Sequence, residues 1–269
     1  MNKKILDSVK RISEEKRKEA LKTAINAQLV RDGIFDILKE SSQCIVLYYP
    51  LEGESLKAFH VSKMIGKKSW HFVYINTEHE REKQAFAAAH ELGHIWQIDR
   101  MVAEELGQDF SDAEKEEIIN RFAAEFMMPE RIFRKISREQ AKGITTDGKI
   151  PIKDFLHMTV YLMYYFFQPF TAVIQRFLEL GLISSGAFEK LVQINKEVPE
   201  RIKNIIAEDQ YSGIGVKDRT KSIKDIADSV RRAEMEETMT DASLAYLRKV
   251  FELGPGERGE GSEKISYGK

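Results

Sequence analysis

Residues 80–96, EREKQAFAAAHELGHIW, constrain the fold more tightly than any other stretch of the chain. The pattern is helical, and Ala87, Ala88, Ala89 and Gly93 are small enough to let another element pack closely. On such a helix His90 and His94 lie one turn apart on the same side, so both imidazoles reach one ion. Glu91, beside the first histidine, then adjoins a water on that ion as a general base. Composition limits the remaining ligands. One cysteine, Cys44, and six histidines exclude a disulfide framework and a zinc site built from several thiolates. A set of histidine and carboxylate ligands is left, and zinc suits it with one position kept for water. Manganese or iron could take the same ligands.

A third protein ligand is needed, and the acidic segment that follows supplies it. His60, His71 and His79 precede the motif, and His157 lies far downstream on an apolar helix. Residues 111–129, SDAEKEEIINRFAAEFMMP, offer Glu114, Glu116, Glu117 and Glu125. Ile119, Phe122, Ala123 and Phe126 form the buried stripe of this helix, and the ligand should border that stripe. Glu116 stands one turn before Asn120, an arrangement that puts a carboxylate on the metal and an amide behind it to hold a histidine ring. Glu117 is the rival by one register step. Glu125 reads as a solvated or structural carboxylate.

Around these helices the chain reads as α+β. An amphipathic helix is expected over residues 3–31, with Ile5, Val9 and Ile12 at helical spacing, followed by a second through Ile34, Ile37 and Leu38. Three strand-like runs, 44–49, 58–62 and 71–75, predict a small antiparallel sheet packed on the His-Glu-x-x-His helix, with 71–75 able to offer an edge to a substrate. Helices are expected over 80–96, 113–128, 129–141, 152–167 and 170–180, then over 186–208 and 218–252, giving a mostly helical C-terminal half. We divide the chain into a metal-binding domain (1–130), a helical region resembling a helix-turn-helix (131–190), a charged helical extension (191–253) and a disordered tail (254–269). Cys44 and the aromatic cluster at 161–167 are expected in the core, as are His157 and Tyr161.

The two motifs together resemble the ImmA/IrrE family of metallopeptidases, of the gluzincin-like His-Glu-x-x-His type. Its members pair an F-x-x-A-H-E-L-G-H helix with a helix reading E-x-x-A-N-x-F-A-A-x-L-L-M-P. Residues 86–94 carry the first. Residues 116–129 carry the second through Glu116, Asn120, Phe122, Ala123, Ala124, Met128 and Pro129. Residues 170–183 are similar to the family's helix ending R-L-x-x-L-G-L-I, so the likeness runs over about 40–185. It departs at Lys83, Ala85, Ala87 and Ala88, where the family often carries Arg and Thr-Leu, and it finds nothing familiar after residue 190.

The resemblance implies an intracellular zinc endopeptidase that cuts, or otherwise inactivates, a helix-turn-helix repressor in stress responses or in induction of mobile elements. It implies one Zn2+ held by His90, His94 and Glu116, with Glu91 as general base. Two other readings stand beside it: an antirepressor that sequesters its partner uncut, and a DNA-binding regulator. The formal net charge of -1 argues against a polybasic nucleic-acid protein, and no direct nucleic-acid binding is expected, although a local basic patch is compatible with it. The basic N-terminus lacks an apolar core behind it, and residues 155–167 fall short of the roughly 20 apolar residues of a spanning helix. A cytoplasmic protein without membrane contact is therefore expected, of unspecified oligomeric state.

Overall fold

The computed structural model of the protein describes residues 2–22, 28–53, 55–145, 149–223 and 225–254. Helix α1 (Lys3–Ala20) starts where the Asn2 side chain accepts a hydrogen bond from Ile5 N, and it buries Ile5, Val9 and Ile12. It ends earlier than its charged pattern suggests, and residues 23–27 lie outside the described residues. A 3-10 turn, Arg31–Gly33, leads into α2 (Ile34–Glu40), which buries Ile34, Phe35 and Leu38.

Strands β1 (Cys44–Tyr49), β2 (Ala58–Ile65) and β3 (Lys68–Asn76) form a sheet in the order β2-β3-β1, with the short β4 (Ser222–Ile223) outside β1. The sheet expected to be antiparallel is mixed: β3 pairs with β2 antiparallel but with β1 in parallel. The tight hairpin at Gly66 (φ +63) lays β2 against β3, and β1 takes the other side of β3. The chain must then cross past β3 between β1 and β2, and strand patterns alone do not encode that crossing. Asn76, fully buried, fixes it: its Oδ1 accepts from Leu51 N, and its Nδ2 donates to Leu51 O and Leu56 O. One further expectation changes with the topology. Residues 71–75 lie in the central strand β3, and among the described residues the outer strands are β2 and the two-residue β4.

Helix α3 (Arg81–Ile95) packs on the sheet and on α5 (Asp112–Met127), with α4 (Ile98–Leu106) between them in sequence. A capping box of Ser111 and Glu114 starts α5. The contact between α3 and α5 is close at Gly93, where a Cβ would stand 3.0 Å from Phe122 Cδ1 and 3.1 Å from Ile119 Cγ2. Phe122 also stacks on Phe126, and Trp96 meets both rings edge-on.

The second half is helical: α6 (Glu130–Ala141), α7 (Ile152–Phe166), α8 (Phe170–Glu179), α9 (Ser185–Glu197), α10 (Pro199–Glu208), α11 (Ile226–Met235) and α12 (Asp241–Val250). The single helix expected over 186–208 is broken at Pro199, which takes the first position of α10. Arg176 of α8 is buried against α5: it hydrogen-bonds Met128 O at 3.1 Å and pairs with Glu125 and Glu179. Glu125 is thereby structural. One hydrophobic core runs from Ile5 through the sheet and α3 to Ile202, Ile205 and Ile214. Residues after α10 return to the front of α3, where Arg81 N donates to Val216 O and Gly215 N donates to a Glu82 carboxylate oxygen. Apart from Gly254, the tail expected to be disordered lies outside the described residues. Among those residues no helix is long and apolar enough to cross a membrane.

Gly93→Ala should destabilise the protein by roughly 1–3 kcal/mol, because the new methyl meets two packed side chains. Urea unfolding measures this, and an unchanged midpoint would show that Ile119 and Phe122 yield without cost.

Candidate metal centre

Because α3 and α5 touch at Gly93, the face of α3 bearing His90 and His94 comes against the start of α5. His90 Nε2 and His94 Nε2 are 3.2 Å apart. Glu116 reaches across with both oxygens, Oε2 at 3.4 Å from His90 Nε2 and Oε1 at 3.4 Å from His94 Nε2. Three ligands at about 2.0–2.1 Å from a tetrahedral zinc stand about 3.3 Å from one another. The triangle therefore has the size of a tetrahedral metal's ligand set, and its donor types suit zinc. Among the described residues these are the histidine and acidic side chains whose ligand atoms converge in this way.

The ring behind the ligand is held as well. Asn120 Oδ1 lies 3.0 Å from His90 Nδ1 and accepts its proton, which leaves the lone pair on Nε2, the atom that faces the centre. Burial, then the neighbouring His94, pushes the His90 pKa down, so the imidazole is neutral as a ligand must be. Glu91 is 7% exposed. Burial first, and the negative Glu116 second, push its carboxyl up to about 7, in the range where a general base works best near neutrality. A cation at the centre would remove part of the second cause.

The other acidic residues of the segment are placed elsewhere. Glu117 lines a groove of about 510 Å³ beside the centre, together with Lys83, Phe86, Asn120 and Ile174. Glu114 is occupied in its capping box. His157 bonds Asp209 across α7 and α10, and Tyr161 packs on Tyr165 and Tyr211.

Sequence reasoning missed two histidines. His60 on β2 stacks on His94 with ring centroids 6.2 Å apart, and His60 Nε2 lies 2.9 Å from His71 Nδ1 on β3. Burial first, then His71 and His94, pushes His60 down to about 4, so it is neutral at neutral pH. The signal was present in the hairpin. A turn centred at Gly66 and Lys67 pairs Ser62 with His71 and His60 with Val73, which puts both rings on the same sheet face as diagonal neighbours. Four of the six histidines thus gather around the metal-binding helix.

Comparison with known proteins agrees with this geometry. Residues 40–168, from just before β1 to just after α7, match the family model of the IrrE N-terminal-like domain, Peptidase_M78. No curated protein matches the chain.

Two outcomes follow. Asn120→Ala frees the His90 ring and should weaken zinc binding by about 10–100-fold while the fold persists, as read by competition with a chromogenic chelator and by circular dichroism. Glu91 has a different signature. Folding raises its carboxyl from 4.5 to about 7, so the native state holds an extra proton between those values and loses stability as pH rises through them. Metal-free Glu91→Gln should therefore exceed metal-free wild type by up to about 3 kcal/mol near pH 8, with no difference near pH 4. Urea unfolding at both pH values decides it, and an equal gain at both would rule out charge burial as the cause.

Proposed function

Residues 40–168 belong to the ImmA/IrrE family of metallopeptidases, and on that premise we propose that this chain is a zinc-dependent endopeptidase of the cytoplasm. Its substrate, on this reading, is a helix-turn-helix transcriptional repressor. The observation that carries the metal assignment is the triangle of His90, His94 and Glu116, with sides near those of a tetrahedral site. The repressor as substrate rests on the resemblance alone.

His90, His94 and Glu116 would hold a zinc ion, which would supply Lewis acidity to a water and to the scissile carbonyl. Glu91 takes the proton of the attacking water and returns it to the leaving amine. Asn120 keeps the His90 ring turned to the centre. The neutral His60, stacked on His94 and bonded to His71, closes the sheet side of the centre. Strand β2 gives the substrate a place to lie: among the described residues it is an outer strand of the sheet, and its Phe59 and Val61 are 44% and 51% exposed. A segment in extended form adds to such an edge through its main chain. Cleavage therefore requires a stretch of substrate that can leave its own fold.

Other features disfavour residues 152–183 as a DNA-reading helix-turn-helix. Arg176, one of the few basic residues there, is 2% exposed and committed to Glu125.

Co-expression with candidate helix-turn-helix repressors from the same genome tests the proposal. Wild type should produce a discrete repressor fragment by mass spectrometry, and Glu91→Gln or removal of zinc should abolish it. A fragment that survives Glu91→Gln would overturn the mechanism. Relief of repression by Glu91→Gln, with the repressor intact, would favour sequestration instead.

A further inference from the structure

The outer face of α6 carries a line of cations that the metal centre does not use. Arg131, Lys135, Arg138 and Lys142 recur at intervals of four, three and four residues, which places them on one side of the helix and its C-cap. All four are exposed, and they span about 16 Å at the rise of an α-helix. They line a shallow groove of about 410 Å³ together with Arg134 and Glu139.

Of the cations in this groove, one is closely paired. Arg134 is paired with Glu130 at 2.7 Å and donates to Leu180 O at 2.9 Å. Lys135 reaches Glu139 only at 4.0 Å. Arg131, Arg138 and Lys142 form no ion pair or hydrogen bond through their side chains with any described residue. Among the described residues Arg138 and Lys142 have no ion-pair partner, Arg131 has only a longer-range attraction to Glu14, and Lys135 is weakly paired, so the four cations repel each other along one face. That arrangement costs free energy in the isolated protein and is relieved by a partner presenting anions at regular intervals.

The chemistry of the surroundings selects among anionic partners. Protein interfaces depend on apolar or aromatic anchors, single strands on aromatic rings for stacking, and membrane surfaces on exposed apolar side chains. The groove is lined by charged residues alone. The large exposed apolar residues lie elsewhere, from Leu51 to Ile65 and beyond Ile152, and none is on α6. A duplex backbone needs none of these features; it asks only for cations spaced along a line. We propose that the α6 face docks the phosphate backbone of duplex nucleic acid without reading its sequence. The overall charge of -1 conceals this, because acidic residues on other faces cancel the sum but not the local field.

The proposal is independent of the metal centre, and the zinc-loaded full chain is the material for its test. Binding to a labelled duplex DNA of arbitrary sequence is followed by fluorescence anisotropy between about 50 and about 200 mM salt. Wild type should bind at low salt with a log–log salt slope of about -3 to -4. The Arg131→Ala/Arg138→Ala/Lys142→Ala variant should bind at least tenfold more weakly and lose about 3 from the slope. A control that removes three cations from the β2–β3 hairpin, Lys63→Ala/Lys67→Ala/Lys68→Ala, should retain most of the binding. Equal losses in both variants would overturn the proposal, as would no wild-type binding at low salt. Tighter capture of polyglutamate than of duplex would assign the face to an acidic protein, and equal affinity for a single strand would remove the duplex geometry. Circular dichroism of each variant separates loss of contact from loss of fold.

Discussion

The close approach of α3 and α5 at Gly93 is the contact on which the centre depends. Glu116 and Asn120 come from one helix and the two histidines from the other, so the two sides of the ligand triangle that meet at Glu116 inherit the separation of the two axes. A side chain at position 93 would meet Phe122 and Ile119, the same residues whose burial holds α5 in place. Packing and chemistry are thus set by one interface. The stacked Phe122 and Phe126, with Trp96 edge-on to both, continue it toward the C-terminal end of α3, and the Arg176–Glu125 pair ties the end of α5 to α8. Breaking a buried pair of that kind typically costs about 3–5 kcal/mol, because one charge is left without a partner.

The front of α3 is held by a different part of the chain. Arg81 N bonds Val216 O, the Arg81 side chain pairs with Asp218 at 2.9 Å, and Glu82 accepts from Gly215 N. Glu78, just before the helix, pairs with Lys217 and Arg219. Three residues after Arg219, β4 joins the sheet beside β1. The segment that follows α10 therefore braces the start of the metal-binding helix, although well over a hundred residues separate them in sequence. Each end of α3 is fixed by an element outside its own neighbourhood, and this rigidity is what a ligand triangle with sides near 3.3 Å requires.

What was legible in the sequence follows from where the information lies. Helices α3, α5 and α7 and strand β1 show strong local periodicity, and the structure has them within a residue or two of the expected limits. Glu116 could be singled out because a helix converts E-x-x-x-N into neighbours on one face. Helix α4 went unread: it is a short helix entered through a left-handed Gln97 (φ 52) and closed by Gly107. Strand β4 has two residues, and its partner is far away in the chain, so no local pattern announces it. The parallel pairing of β1 with β3 is a property of the crossover, held by the single buried side chain of Asn76. His60 and His71 needed the hairpin register before either could be tied to the centre.

The same distinction between sums and arrangements governs the electrostatics. A net charge of -1 describes the field far from the molecule, where contributions of opposite sign cancel. Within about a Debye length, roughly 8–10 Å, only the nearest charges count. Along α6 those are five cations with one carboxylate in the groove, Arg134 being paired with Glu130, and at the metal centre they are the carboxylates of Glu91 and Glu116 beside His90 and His94. The chain thus keeps two uncompensated fields of opposite sign, one on an exposed helix face and one in a half-buried cleft. Each is unfavourable until a counter-charge arrives. A divalent cation answers the second, and an extended polyanion answers the first; neither requirement could be read from composition, because both arise from which side of a helix each charge occupies.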